Sequence, residues 1–174
     1  SRSAGVTKDL LKQQAPMGTL EVKLETLYVE QFGKPTHFLT IGEPFAIVIR
    51  VTAAKAITDT AVLVSLQSDK VHQTFANVIP LDLSSAERIV HGVNLVAGVN
   101  IIRFEITAAL MGDGGYQAGL SIFPAANDHK YTPETSYCEY KKVLSFQAGY
   151  RSKRLFGRGT LCELPVSKVT YSPG

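Results

Sequence analysis

The stretch Leu39-Thr-Ile-Gly-Glu-Pro-Phe-Ala-Ile-Val-Ile-Arg-Val51 constrains the fold more than any other part of the chain. A Gly-Glu-Pro turn runs straight into a segment in which Phe45, Ile47, Ile49 and Val51 alternate with Ala46, Val48 and Arg50. Successive side chains of a strand point to opposite faces, so this alternation describes a half-buried β-strand with the Phe-Ile-Ile-Val set as its core face. The same design recurs. Leu20, Val22 and Leu24 share one face of a strand over 19–30, and Val62, Val64 and Leu66 do so over 60–68. Ile102, Phe104 and Ile106 mark the inner face over 100–107, and Tyr116, Ala118, Leu120 and Ile122 mark it over 116–123. Further strands are predicted over 71–78, 88–96 and 137–148. The first of these pairs with 60–68 across Asp69-Lys70, a hairpin spacing without the usual glycine. Turn signals at 33–35, 97–98 and 112–115 separate the strands. No segment of comparable strength has a helical period. Eight or nine strands at this spacing predict an all-β fold, an antiparallel β-sandwich with Greek-key or jelly-roll links, over 18–174.

The ends of the chain differ. Lys8-Asp-Leu-Leu-Lys12 makes about one helical turn, too short to fold alone. Residues 1–17 are therefore expected to be a linker from an upstream domain missing from this sequence. A chain of 174 residues that is 45% hydrophobic is large enough for a two-sheet core. Its net charge of +3 does not mark a nucleic-acid binder. It has no apolar run of membrane-spanning length and no signal-peptide pattern. Cys138 and Cys162 lie in separate segments. A disulfide between them stays open, but two free thiols in a reducing cytosol fit a chain of this size better.

Catalytic signatures are missing. Gly157-Arg-Gly159 lacks the Lys-Ser/Thr of a phosphate loop. His37, His72, His91 and His129 have no metal-ligand spacing. No Gly-x-Ser-x-Gly elbow occurs. Glu21 and Glu25 are simplest as solvated strand residues. No metal, no cofactor and no catalytic residue is expected, and a binding domain is favoured over an enzyme.

Two stretches carry a family resemblance. Gly18-Thr-Leu-Glu-Val-Lys-Leu24 followed by Phe38-Leu-Thr-Ile-Gly-Glu-Pro-Phe-Ala-Ile-Val-Ile-Arg-Val51 resembles the opening of the C-terminal domain of Wzt-type ATPases, the nucleotide-binding subunits of O-antigen polysaccharide ABC transporters. Asn100-Ile-Ile-Arg-Phe-Glu-Ile-Thr107, with Leu110-Met-Gly-Asp-Gly-Gly-Tyr116 and the strand after it, is similar to that family's other shared stretch. The hairpin at Ser68-Asp-Lys-Val71 departs from the family, which often carries a glycine there. The resemblance implies a non-catalytic immunoglobulin-like sandwich that recognises the non-reducing end of a finished O-antigen polysaccharide and couples chain termination to export. It implies an upstream ATPase domain and a membrane-spanning transporter subunit as partner. The place would be the cytoplasm, at the inner face of the bacterial inner membrane. It also implies a homodimer that exchanges a C-terminal strand. Leu161, Leu164, Val166 and Val169, in the strand-like stretch after the basic loop 149–158, are the candidate dimer residues.

Sugars present fans of hydroxyls and apolar C–H faces, and proteins meet them with planar polar side chains and aromatic rings. Strand alternation turns Arg50, Ser65, Gln67, Arg103, Glu105, Gln117 and Ser121 outward. Arg50, Arg103, Gln67 and Gln117 make a candidate polar platform, with Ser121 and His72 beside it. Two guanidinium forks on one face suit an acidic sugar or a phosphate cap. Tyr137 and Tyr140 fall on opposite faces, so one is exposed or at an edge, and Tyr140 joins the candidates. Lys141-Lys142 and the arginines after 150 serve edge protection, or contact anionic lipid or the rest of a transporter. A second role stays open alongside carbohydrate binding: a structural or dimerisation sandwich with no ligand of its own.

Overall fold

The computed structural model describes residues 15–70, 74–78, 81–82, 89–90, 92–109, 111–125 and 135–150. In chain order its strands are β1 (Val22–Gln31), β2 (Lys34–Thr36), β3 (Phe38–Thr40), β4 (Phe45–Ala53), β5 (Ile57–Ser68) and β6 (Thr74–Val78). They continue as β7 (Leu81–Asp82), β8 (Ile89–Val90), β9 (Val93–Leu95), β10 (Gly98–Ile106), β11 (Gly114–Pro124) and β12 (Cys138–Gly149). One sheet has the order β10-β4-β1-β2. The other runs β3-β12-β11-β5-β6, with β9 also paired to β5, and β7-β8 form a separate small ribbon. Pairing is antiparallel throughout except for the short parallel contact of β3 with β12. The expected all-β sandwich is the fold. Its two main sheets hold ten described strands rather than eight or nine, because the stretch 34–40, where only a turn at 33–35 is expected, forms the three-residue strands β2 and β3.

Alternation builds the core. Phe45, Ile47, Ile49 and Val51 of β4 are buried, as are Val62, Val64 and Leu66 of β5 and Tyr116, Ala118, Leu120 and Ile122 of β11. Tyr116 stacks on Phe146 with ring centroids 5.7 Å apart, and its hydroxyl donates to the Gly112 carbonyl at 2.6 Å. A polar tip thus enters the core only with its partner supplied. Gln31 follows the same rule. Its amide donates to the Thr40 carbonyl at 3.1 Å and accepts the Thr40 N–H at 2.7 Å, tying the end of β1 to β3.

Register shifts interrupt four of the ladders and break the strict period of two. In β1 the register shifts between Leu24 and Thr26. Leu27 and Val29 therefore face the core with Val22 and Leu24, where unbroken alternation from Leu24 would have sent Thr26 and Tyr28 inward. Another shift, in β12, shapes the site described below.

One face of β4 departs from expectation. Ala46 and Val48 point away from the core, yet they are only 3% and 5% exposed. Arg103 of β10 reaches to Glu30 of β1, and these strands flank β4 on either side. Its two terminal nitrogens donate to the Glu30 carboxylate at 3.1 and 3.0 Å. The bidentate bridge passes over the small residues of the strand between.

At the other end, Met17 exchanges backbone hydrogen bonds with Glu139 at 3.1 and 2.9 Å, and Thr19 and Leu20 donate to Ser136 and Tyr137. The chain is thus already paired to β12 at Met17. The rest of the expected linker, residues 1–14, lies outside the described residues, as does the expected strand after 159.

Candidate functional site

The outer face of the six-stranded sheet carries a polar trough of about 470 Å³. Register explains its composition. Gln117 of β11 stands opposite Gln67 of β5 and opposite Ser145 of β12. One pair further along, Gly119 faces Ser65, which in turn faces Asn77 of β6. Next come Ser121 and Leu63. Each of these rows sits one residue away from a core residue, so the buried face fixes which residues reach the trough.

The wall on β12 is charged, and a bulge makes it so. Leu120 pairs with Tyr140 and Ala118 with Leu144, so Lys141, Lys142 and Val143 stand opposite Gly119 alone. Lys142 takes a left-handed backbone conformation, φ 52°. The result is two consecutive exposed lysines followed by two consecutive buried residues, Val143 and Leu144. Glu139 completes this wall, with its carboxylate 3.8 Å from the Lys141 ammonium.

Gly119 forms the floor. A Cβ there would come within 2.8 Å of the Tyr140 carbonyl oxygen and 2.9 Å of the Ser65 hydroxyl. Only glycine fits beside the bulge, because the Tyr140 carbonyl and the Ser65 hydroxyl already hold the space a side chain would take.

The sequence-predicted site residues separate in space. Gln67, Gln117 and Ser121 line the trough. Arg50 and Arg103 lie on β4 and β10, so they occupy the outer face of the opposite sheet and share no surface with the glutamines. The four-residue platform is thereby divided between the two faces of the molecule. Arg103 is also engaged: besides Glu30 it donates to Glu105 at 2.7 Å, and these hydrogen bonds, Glu30 first, hold its guanidinium even more firmly protonated than usual. Arg50 is exposed, between Thr26 and Ile101. Tyr140 does not face solvent. It is 6% exposed, its hydroxyl accepts the Leu24 N–H at 3.2 Å, and burial pushes its pKa up. Of the pair Tyr137 and Tyr140, the bulge-bearing strand turns Tyr140 inward. His72, Leu161, Leu164, Val166, Val169 and Cys162 lie outside the described residues. Cys138 is a free, buried thiol whose pKa burial pushes up to about 12.

Sequence reasoning missed Asn77 and the lysine wall as site residues. A register shift between Leu66 and Gln67 resets the phase of β6, so that Ala76 and Val78 pack on the core and Asn77 is exposed. Nothing in a period-two pattern announces either bulge. The adjacent pairs Lys141-Lys142 and Val143-Leu144 were the available signal, because two like residues in a row break alternation.

A second concavity of about 360 Å³ lies over Glu30, Phe32, Pro44, Phe45 and Arg103 on the other sheet. Its charged groups are committed to one another through the Arg103 bridge. Among the described residues no group of three His, Cys, Asp or Glu side chains is placed to hold a metal ion, and no helix is long and apolar enough to cross a membrane.

The fold has a solved counterpart. The crystal structure of the C-terminal domain of wzt matches with a TM-score of 0.63 at 11% sequence identity, over 90% of this chain and 88% of that one. At this identity the likeness establishes the fold. A β-glucosidase from Listeria innocua, in complex with gluconolactone or with glucose, matches at TM-scores of 0.38 and 0.36 and 15% and 14% identity. Those matches cover 74% of this chain and 16% of that one and carry no argument. No family model and no curated protein matches the sequence.

Proposed function

We propose that this domain is a non-catalytic carbohydrate-binding module that recognises the terminus of an O-antigen polysaccharide and couples its completion to export. The observation that carries the proposal is the trough: hydroxyl and amide side chains presented along an open, glycine-floored groove, on a sandwich with the fold of the wzt C-terminal domain. Gln67, Asn77 and Gln117 offer planar amides that both donate and accept, which matches the paired donor and acceptor character of sugar hydroxyls. The groove is shallow, and net hydrogen-bond energies in water are small, so affinity belongs in about the micromolar to millimolar range. In this role the domain works in the cytoplasm beside the inner membrane. Its partners are an ATPase domain, a membrane-spanning transporter subunit and a second copy of itself.

The exposed Val99 and Ile101 on the edge strand β10 favour a second role, assembly, which can accompany binding or stand alone. Titration of the protein with O-antigen polysaccharide, intact and trimmed of its non-reducing terminal residue, separates the two. Binding to the intact polymer with loss on trimming is the expected result. Equal binding to both polymers removes terminus recognition, and binding to neither leaves assembly as the role.

A further inference from the structure

We propose that the trough selects a saccharide carrying an anionic substituent, a phosphate ester or a carboxylate, seated against Lys141 and Lys142 above Gly119. This rests on the carbohydrate-binding reading of the trough and specifies its ligand class.

Three observations lead there. First, charge in the trough is segregated. The wall formed by β5 and β6 offers Ser65, Gln67 and Asn77, all neutral, whereas the β12 wall offers two ammonium groups and the Glu139 carboxylate. The trough's formal charge is therefore positive, and all of it sits on one side. Second, the bulge puts both lysines there. In an unbroken strand one of two consecutive lysines would point into the core; the register break at Gly119 turns both outward and sends Val143 and Leu144 inward as a pair. Third, none of the described residues lining the trough is aromatic. Without a ring for a sugar face to stack on, affinity must come from hydrogen bonds, and those to charged groups are the strong ones.

The parts combine in one arrangement. The substituent lies over the strip between Gly119 and the lysines, all of which line the trough. The lysines meet its negative charge, and the sugar's hydroxyls reach across to the amides. Lys141 is 3.8 Å from Glu139, a loose ion pair that an incoming anion can exchange. Glu139 then opposes anions, so removing its charge should sharpen the preference.

The test compares mannose 6-phosphate and glucuronate with mannose and glucose, each titrated into the protein by NMR. The anionic probes should bind about tenfold tighter than their neutral counterparts, in keeping with one charge-assisted contact. Which of the two anions binds better identifies the source of the charge. K141Q/K142Q should abolish the preference, and E139Q should increase it. Equal binding of charged and neutral probes, or a preference that survives K141Q/K142Q in a variant with an unaltered melting curve, overturns the proposal. Loss of all saccharide binding, including intact polysaccharide, instead overturns the carbohydrate-binding reading beneath it. Retained polysaccharide binding without an anion preference leaves that reading standing and removes only this one.

Discussion

The Tyr140 hydroxyl accepts the backbone N–H of Leu24 at 3.2 Å, linking strands that belong to different sheets. Leu24 sits at the bulge of β1, where the ladder with β4 is interrupted. The phenol therefore meets a buried donor at the place where sheet pairing falters. Tyr140→Phe leaves that N–H unsatisfied, which costs about 1–3 kcal/mol. Urea denaturation should show this loss with an unchanged m-value, and saccharide binding should be untouched because the ring faces the core. Weakened binding at unchanged stability would return Tyr140 to the site.

The two candidate faces can be separated by mutation. Q67A/Q117A should weaken polysaccharide binding by about tenfold or more, as expected for removing two neutral hydrogen-bonding groups. R50A/R103A should leave binding intact and lower the melting temperature, since Ala46 and Val48 lose the bridge that covers them. The opposite outcome places the ligand on the β10-β4-β1-β2 sheet. Calorimetric titration and thermal melts of both variants decide between them.

Alkaline pH should destabilise the protein through Cys138. Burial raises its thiol from an ordinary 9.0 to about 12. Its contribution to stability is complete below the unfolded value. As pH rises past 9.0 the unfolded chain gives up a proton that the folded chain keeps, so stability falls until the folded thiol also ionises. The slope attains at most about 1.4 kcal/mol per pH unit from this group. Tyr140, also shifted upward by burial, adds in the same direction at higher pH. Urea midpoints at about pH 8 and pH 10 should therefore differ, and less so in Cys138→Ala. An equal drop in that variant would assign the effect to other groups.

Strand identity was legible wherever one face is buried. The inner residues of β4, β5 and β11 were all readable from alternation, because a one-residue slip would have exposed each of those apolar sets. Grouping strands into sheets was not legible. Arg50 and Gln67 look equivalent as outward residues, yet β4 and β5 belong to opposite sheets, and pairing partners leave no trace in a single strand's period. Bulges defeated the remainder. They set the phase of Leu27, Asn77, Lys141 and Lys142, and each arises from pairing with a neighbour rather than from local sequence.

Assembly is expected to centre on β10. This strand is the edge of the four-stranded sheet, and it exposes Val99 at 50% and Ile101 at 68% beside an unpaired backbone row among the described residues. An edge strand of nine residues with two exposed apolar side chains is a template for another strand. The end of β12 is tied to the loop that follows β10. The Gly149 carbonyl accepts the Ile41 N–H at 2.9 Å, and Gly42 donates to Ala109, just past the end of β10, at 2.9 Å. These two hydrogen bonds link the end of β12, through Ile41 and Gly42, to Ala109, three residues past β10. Exchange between two copies gives a closed two-fold dimer without new surface. We therefore expect a homodimer in which residues 160–171, with Leu161, Leu164, Val166 and Val169, cover β10 of the partner. Deletion from Gly159 onward should expose the edge and give monomer or aggregate in sedimentation velocity. Ile101→Glu should weaken the dimer while leaving the sandwich folded, since this side chain is already in solvent in the isolated chain. A truncated protein that sediments as a well-behaved dimer would show that the joint lies elsewhere.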